Sequence, residues 1–168
     1  MEKIGLFYGK NTVKTANVAK KIQEAFGDIN IDLVAVEDAW EKEFESYKYL
    51  IVGTSTWFDG ELPDSWDELM PILETLNLKN KKVAIFGLGN QVDYPDNFVD
   101  GMGILAEVFE NDGAKIVGFT SPNDYNFNHS RAILKDKFCG LVIDEENQAK
   151  KTDKRIKDWV ESLKKEFQ

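Results

Sequence analysis

The sequence predicts an α/β protein built on a doubly wound parallel sheet with helices on both faces. Short apolar strand patterns alternate with amphipathic helix patterns along the whole chain. Two runs, Tyr49–Gly53 and Lys82–Gly87, are almost continuously apolar, which is typical of central strands that helices cover on both faces. No linker, low-complexity tract or internal repeat divides the 168 residues, so we expect a single domain over residues 1–168.

The pattern begins with a strand over Lys3–Tyr8, followed by an amphipathic helix that Gly27 ends as a C-terminal stop. The second strand is predicted over Ile31–Val36. The apolar positions of this first helix recur at helical spacing: Val18, Ala19, Ile22, Ala25 and Phe26.

The segment between the two central strands is predicted to form one short helix. Ser65–Glu68 has the spacing of a capping box, which starts a helix. Pro71 follows within two turns and is expected to kink or shorten that helix, because proline lacks the backbone N–H that the next turn needs.

Two further helices are predicted in the second half of the chain. One begins at Asp96 or Asn97 and ends at Gly113, and the other begins near Thr152. Their apolar positions again recur at helical spacing: Val99, Met102, Leu105, Ala106, Phe109, Ile156, Trp159, Val160, Leu163 and Phe167.

The fifth strand of the pattern is interrupted. Lys115–Phe119 and Leu141–Ile143 both have strand character, and a polar stretch of about twenty residues separates them. A structureless loop of that length is uncommon in a compact domain and is usually functional. In such sheets ligands bind beyond the carboxyl ends of the strands, so we expect the site in the segments after strands one, three and four.

Composition excludes several classes of function. A formal net charge of −9 repels the phosphates that a nucleic-acid binder must neutralise. The single cysteine, Cys139, excludes an internal disulfide and a cysteine-ligated zinc or iron–sulfur site. No apolar run is long enough to span a bilayer, and the first ten residues lack a signal-peptide pattern. These observations favour a cytoplasmic protein without a metal site.

The segment after the first strand is a candidate phosphate cradle. Gly9–Thr15 combines hydroxyl and amide side chains with the free N–H groups of a helix start. It is not a nucleotide P-loop, because it is one residue too short and Val13 occupies the position of the second glycine. Gly87–Gly89 likewise lacks the third glycine of a dinucleotide-binding motif. An ordinary N-capped helix remains the alternative for the first loop.

Large aromatic side chains follow the third and fourth strands. Thr54–Gly60 carries Trp57, and Asn90–Asn97 carries Tyr94, both in loops that flank the expected cleft. Partial burial in the core is the alternative for either residue alone. A ligand with a flat ring and one phosphate would fit all of these loops. Its phosphate would bind to the first loop, and its ring would lie between the two aromatic side chains.

The sequence resembles the flavodoxins over nearly its whole length. The matching residues are Phe7–Gly9 with Thr12, Lys14 and Thr15; Thr56 and Trp57 with Gly60–Leu62; Gly87–Gly89 with Gln91 and Tyr94; Asp96–Phe98; and Gly140–Gln148. The interrupted fifth strand, with Asp124–Asn128, resembles the long-chain subgroup. Lys10 and Val13 stand where the family usually has Thr or Ser and Gly, respectively.

The resemblance implies a flavodoxin-like three-layer sandwich with strand order 2-1-3-4-5. It also implies noncovalent FMN and low-potential, one-electron shuttling between redox proteins, with no catalytic residue. The residues that it places at the cofactor are Lys10, Asn11, Thr12, Val13, Lys14, Thr15, Ser55, Thr56, Trp57, Phe58, Asp59, Gly60, Gly87, Leu88, Gly89, Asn90, Tyr94, Asn97, Phe98 and Glu146.

Acidic residues are expected to lower the reduction potential and to attract partners. Seven acids lie in or beside the strand-end segments, where they oppose the negative charge of a reduced flavin: Asp59, Glu61, Asp93, Asp96, Asp144, Glu145 and Glu146. Residues 49–78 and 83–114 contain acids but no Lys or Arg, although such a run is often only a solvated face. The resemblance implies basic partners for a monomeric carrier: ferredoxin-NADP reductase, and photosystem I in a photosynthetic source.

Two other classes stay open. A flavin-dependent NAD(P)H:quinone reductase shares this fold, but the chain has no extra segment for nicotinamide or quinone. A phosphoacceptor receiver domain would need an acidic pair at the end of the first strand, where this chain has Tyr8 and Gly9. We interpret His129 as a surface residue and Cys139 as a small apolar residue at a strand end.

Overall fold

The structure, a computed structural model, describes residues 2–168. Its main sheet contains six parallel strands: β1 (Ile4–Tyr8), β2 (Ile31–Ala35), β3 (Tyr49–Ser55), β4 (Lys82–Leu88), β5 (Lys115–Val117) and β8 (Gly140–Ile143). The order β2-β1-β3-β4-β5 confirms the predicted topology. β3 and β4 lie at the centre and are buried along almost their whole length, as their apolar sequences predict.

β5 and β8 are the two halves of the interrupted fifth strand. β5 pairs with the first part of β4, beginning with Lys115 opposite Lys82, and β8 pairs with the second part, beginning with Gly140 opposite Ile85. The insert between them, residues 118–139, contains a small hairpin formed by β6 (Ile133–Leu134) and β7 (Lys137–Phe138). The fifth strand therefore resumes in the same line of the sheet after the insert.

Within residues 2–168, seven α-helices surround the sheet: α1 (Val13–Phe26), α2 (Glu41–Glu45), α3 (Asp64–Asp67), α4 (Met70–Leu73), α5 (Asp100–Asn111), α6 (Glu145–Gln148) and α7 (Thr152–Glu166). The core has two parts, one on each face of the sheet. On one face Ile22 of α1 and Trp159 of α7 pack in the same cluster as Phe86. On the other, Trp66 and Phe109 belong to a second cluster. The predicted three-layer arrangement is confirmed.

α5 begins at Asp100 rather than at Asp96 or Asn97, so the predicted start was wrong. The preceding residues are bound to the insert instead: the Phe98 N–H donates to the carbonyl of His129 at 3.2 Å. Val99 then adopts a left-handed conformation, with φ of 48°, which the first turn of a helix cannot contain. A tertiary contact with the insert thus delays the helix.

The predicted capping box at Ser65 does not form. α3 begins one residue earlier, at Asp64, with Pro63 at the N-cap position and no side-chain cap. Pro71 has its predicted effect, because the segment is divided into two short helices and Pro71 lies in the first turn of α4. Proline is tolerated there because that N–H has no helical acceptor.

Candidate functional site

A cavity of about 430 Å³ lies at the carboxyl edge of the sheet, where β1, β3 and β4 end. This is the edge at which the sequence predicts ligand binding. The cavity is lined by Asn11, Thr12, Val13, Lys14, Thr15, Ser55, Thr56, Trp57, Leu88, Gly89, Asn90, Tyr94, Glu145 and Glu146. Its volume is in the range of small-molecule and cofactor sites.

The loop after β1 brings the start of α1 to the cavity. Thr12 is the N-cap residue of α1, but its side chain makes no capping hydrogen bond. The structure therefore does not support the alternative interpretation of this loop, a helix start capped by its own side chain. Helix starts carry free N–H groups and a partial positive charge, so this end of the cavity suits an anionic group.

Two buried hydroxyl groups in this cavity have no partner. Thr15 is 1% exposed, and neither its Oγ1 nor the Oγ of Ser55 makes a hydrogen bond with any of residues 2–168. An unsatisfied buried hydroxyl costs about 1–3 kcal/mol, and natural proteins rarely keep one without a ligand, ion or water beside it. The two groups lie on the loops that were predicted to hold a phosphate and a ring, so the residues present fit such a ligand.

The sides of the cavity are aromatic and apolar. Trp57 is 36% exposed and Tyr94 is 56% exposed, which is unusual for such large side chains. Trp57 is fixed by a tight turn, because it exchanges two backbone hydrogen bonds with Glu61, at 2.8 and 2.7 Å. Two residues within that turn, Phe58 and Gly60, have positive φ values of 49° and 93°. The backbone of this turn therefore fixes Trp57 in its partly exposed position at the cavity.

The loop after β4 is held by its own polar contacts. The Asn90 side-chain carbonyl accepts from the backbone N–H groups of Val92, at 3.2 Å, and Asp93, at 2.9 Å. The Gly89 N–H donates to the carbonyl of Ile143 at 3.0 Å, which joins this loop to the end of β8. A rigid loop of this kind presents its remaining backbone groups to a ligand in fixed positions.

Charge at the cavity is mainly negative. Glu145 and Glu146 line it from α6, and the ammonium of Lys14 pairs with the carboxylate of Glu146. Asp144, in contrast, is completely buried beneath them. Its burial opposes ionisation, but hydrogen bonds from Asn147 and Gln91 outweigh this and hold the pKa of Asp144 below its usual value. Asp144 therefore stays ionised as the N-cap of α6.

The structure brings most of the predicted site residues to this cavity, in the positions described above. Seven others do not line it: Lys10, Phe58, Asp59, Gly60, Gly87, Asn97 and Phe98. Phe98 is fully buried, and Gly87 packs against α5, because a Cβ added there would lie 2.3 Å from Met102. The ammonium of Lys10 lies 3.2 Å from the carboxylate of Asp38, so its extra charge is neutralised outside the cavity.

The sequence analysis assigned less to two residues than the structure does. Glu145 was expected only as an acid near the cofactor, but it lines the cavity beside the predicted Glu146, as its position just after the buried end of β8 allows. Gln91 is 6% exposed and joins three segments, donating to Asp144 and accepting from the Asn126 N–H at 2.7 Å. Nothing in its sequence context indicates that bridging role.

Neither His129 nor Cys139 lines the cavity, and their burial agrees with the predicted surface and apolar positions, respectively. His129 is exposed in the insert. Cys139 is fully buried, and burial raises the pKa of its thiol to about 12, so it stays protonated. Among residues 2–168, no helix has the length and apolar character needed to cross a bilayer.

Comparison with known proteins agrees with this geometry. A family model described as flavodoxin matches residues 6–159. The chain is 46% identical over 166 residues to a flavodoxin of Nostoc sp., covering 99% of this chain and 98% of that protein. The chain belongs to the flavodoxin family. A flavodoxin of Synechococcus elongatus is also 46% identical, over 168 residues and 99% of each chain.

One solved relative has nearly the same fold. The crystal structure of Fusobacterium nucleatum flavodoxin bound to flavin mononucleotide superposes with a TM-score of 0.96, at 35% identity and over 100% of both chains. The oxidised flavodoxin 1 of Bacillus cereus, at 20% identity, shares the fold with a TM-score of 0.72. Family membership does not favour the quinone reductase alternative.

Proposed function

We propose that this flavodoxin binds FMN without a covalent bond in the cavity at the carboxyl edge and carries electrons between redox proteins. The observation that carries the proposal is the pair of unsatisfied buried hydroxyls, Thr15 Oγ1 and Ser55 Oγ, in a cavity walled by exposed Trp57 and Tyr94. The FMN-bound flavodoxin of Fusobacterium nucleatum supports the choice of ligand.

Each part of the cavity has a role in this proposal. The loop from Asn11 to Thr15 would hold the phosphate through N–H and hydroxyl groups. Trp57 and Tyr94 would cover the ring and exclude water from it. When bound, FMN supplies the one-electron chemistry, and the protein's contribution is to orient the cofactor and set its electrostatic surroundings.

The acids at the cavity would make the bound cofactor a stronger reductant. Glu145 and Glu146 place negative charge at the site that gains charge on reduction. Each carboxylate about 10 Å away opposes that step by roughly 0.5–1 kcal/mol after screening, or about 20–40 mV for one electron. Lys14 offsets part of this effect through its pair with Glu146.

The proposed role is that of a carrier rather than an enzyme. The chain is 46% identical to a flavodoxin over 99% of its length, and the flavodoxin family model matches residues 6–159. In the cavity the ammonium of Lys14 pairs with the carboxylate of Glu146, which supports a role of these charged groups in holding and tuning a cofactor.

The proposed partners are basic redox proteins. Glu61, Asp64 and Glu68 are exposed and close in sequence to the turn that carries Trp57, so a positively charged partner would be attracted to this side. Ferredoxin-NADP reductase, and photosystem I in a photosynthetic source, are the partners that the flavodoxin resemblance suggests. A cytoplasmic location is proposed with them, supported by the lone cysteine.

An absorption spectrum and a titration test the proposal. The purified protein is expected to be yellow, to hold one FMN per chain, and to take up FMN again after the cofactor is removed. A colourless protein that ignores added FMN, or one that prefers FAD, would contradict it. Steady-state NADPH oxidation with a quinone acceptor separates the carrier from a reductase, because a carrier alone shows no turnover.

A further inference from the structure

A second cavity, of about 390 Å³, lies away from the proposed FMN site, between the insert and α7. Its floor is apolar, formed by Leu141 and Trp159, which are each 2% exposed. Phe119 forms a more exposed part of the lining. The cavity is large enough for a ligand of one or two rings.

Arg155 is the distinctive polar residue of this cavity. Its guanidinium lies over the Tyr125 ring, 4.2 Å from the ring centroid, and Nη1 donates to the Gln148 side chain at 2.8 Å. Its other terminal nitrogen, Nη2, is buried and has no hydrogen-bond partner within residues 2–168. Over the same residues, Arg155 forms no ion pair with a carboxylate.

Three other polar groups of the cavity lining already have hydrogen-bond partners. The Thr120 hydroxyl donates to the carbonyl of Gly140 at 2.6 Å, and the Ser162 hydroxyl donates to Glu166 at 3.1 Å. The indole N–H of Trp159 donates to the carbonyl of Gly118 at 2.8 Å. The guanidinium of Arg155 is thus the group that lacks an acceptor, and a ligand oxygen would supply one.

Charge and shape together define the ligand. Asp124 and Asp158 also line the cavity, but Asp158 is paired with Lys154, and within residues 2–168 neither carboxylate forms an ion pair with Arg155. A planar guanidinium pairs best with a carboxylate, which accepts two parallel N–H groups. The apolar floor and Phe119 suit a ring attached to that carboxylate.

We propose that the cavity between the insert and α7 is a second binding site, which takes a small aromatic carboxylate with its acid group on Arg155. The same combination, a buried donor without a partner in a cavity with an apolar floor, is what marks the proposed FMN site. The two sites share no lining residue, so both ligands can be bound at once.

Titration of the FMN-loaded, ¹⁵N-labelled protein with benzoate tests the proposal, because FMN blocks the first cavity. Saturable shifts are expected for the backbone amides of residues 119–125 and 155–162. Benzamide, which has the same ring but no charge, is expected to bind at least about tenfold more weakly, the effect of losing one charge-assisted hydrogen bond. Shifts that do not saturate, or that occur only near Trp57 and Tyr94, overturn it.

Matched variants test the role of Arg155. Arg155→Gln is expected to weaken benzoate binding about tenfold or more. Lys157→Gln removes the same charge from α7, but residues two apart do not share a helix face, so its binding should change less than about twofold. If Arg155→Gln fails to fold, Phe119→Ala removes part of the lining at an exposed position and is expected to weaken binding. Unchanged benzoate affinity in folded Arg155→Gln, or in Phe119→Ala, contradicts the proposal.

Discussion

The buried carboxylate of Asp144 accepts two hydrogen bonds from Gln91, one from its backbone N–H at 3.1 Å and one from its side-chain amide at 2.7 Å. Asp144 follows β8, and Gln91 lies in the loop after β4. Their hydrogen bonds therefore join the segments after β4 and β8, which both border the proposed FMN site. A buried charge is stable only with such hydrogen bonds.

Replacing Gln91 by alanine should destabilise the protein by about 2 kcal/mol at neutral pH, because Asp144 would lose the side-chain amide donor and keep only the backbone N–H of residue 91. The folded-state pKa of Asp144 lies below 3.8, so the bonds stabilise the fold above that pH and are lost as the pH falls through the folded value. The difference between Gln91→Ala and wild type should therefore shrink in acid.

Urea unfolding at neutral and acidic pH measures this difference. Gln168→Ala is the matched control, since Gln168 is an exposed residue whose amide only donates to the carbonyl of Lys164. An equally large loss for both variants, or a Gln91→Ala loss independent of pH, would show that Asp144 is not the group being stabilised.

Thr15→Val should weaken FMN binding without destabilising the FMN-free protein. Valine keeps the shape of threonine and removes a buried hydroxyl that has no protein partner, so the FMN-free protein loses no bond. A hydrogen bond to a charged phosphate is worth about 1.5–3 kcal/mol, so the dissociation constant should rise roughly tenfold or more. Fluorescence titration with FMN measures it.

Thr75→Val provides the control, because the Thr75 hydroxyl is exposed and donates to the carbonyl of Ile72 far from the cavity in sequence. Its FMN affinity should equal that of the wild type. If Thr15→Val and the wild type bind FMN with equal affinity, the Thr15 hydroxyl does not bind the phosphate as proposed.

Asp112→Asn should stabilise the protein at neutral pH. Burial, with the nearby charges of Glu74 and Glu45, raises the pKa of Asp112 to about 6. The fold therefore loses stability as the pH rises from 3.8 to about 6 and Asp112 is forced to ionise. Because Asp112 is partly exposed, the gain on substitution is about 1 kcal/mol above pH 6 and disappears near pH 4.

Thermal unfolding across this pH range tests the prediction, with Glu110→Gln as the control. Glu110 is an exposed acid in the last turn of α5, the helix that ends just before Asp112. A gain that is the same at pH 4 and above pH 6 would mean that ionisation of Asp112 is not its cause.

Electron transfer to a basic reductase should slow as ionic strength rises, or pass through a shallow optimum. The Debye length falls from about 30 Å to 3 Å between 0.01 and 1 M salt, so attraction by the exposed acids is screened. Changing Glu61, Asp64 and Glu68 to lysine should slow the reaction at low salt, measured by stopped flow.

The matched control reverses three exposed acids at the opposite end of the molecule: Glu24, Asp28 and Glu110. It changes net charge by the same amount but leaves the side near Trp57 intact. If both triple variants slow electron transfer equally, total charge rather than a docking side controls the rate.

The turn from Trp57 to Glu61 should influence the first reduction potential. We predict that the peptide after Phe58 rotates when a bound flavin is reduced, which requires positive φ at Asp59. In this structure Phe58 and Gly60 have positive φ, whereas Asp59 does not. Asp59→Gly would lower the strain of rotation by about 1 kcal/mol and raise the potential by roughly 40 mV.

Asp59→Asn separates strain from charge, because it removes the charge and keeps the size of the side chain. Spectroelectrochemical titration should give Asp59→Gly the higher potential of the two. If both variants have the same reduction potential, backbone strain at residue 59 does not contribute to that potential.

Most of the fold follows from the sequence because apolar periodicity reports burial directly. β3 and β4 were predictable from continuous apolar runs, and the cavity from the segments that follow them. The start of α5 was not predictable, since it depends on Phe98 bonding to His129 about thirty residues away. The cavity at Arg155 could not be predicted from the sequence either, because its lining residues come from the insert and from α7, which are distant in sequence.

The split fifth strand also bears on how this fold tolerates changes in chain length. Closing a loop of 22 residues (118–139) instead of a typical five costs only about 1.3 kcal/mol more in chain entropy. The insert offsets this by its own contacts, including the Tyr125 hydroxyl that donates to the carbonyl of Val142 at 2.6 Å. Segments can therefore be added at the exposed hairpin turn of the insert, at Lys135 and Asp136, at small cost in chain entropy, whereas removing the insert would also remove the buried core residues Ala132 and Phe138.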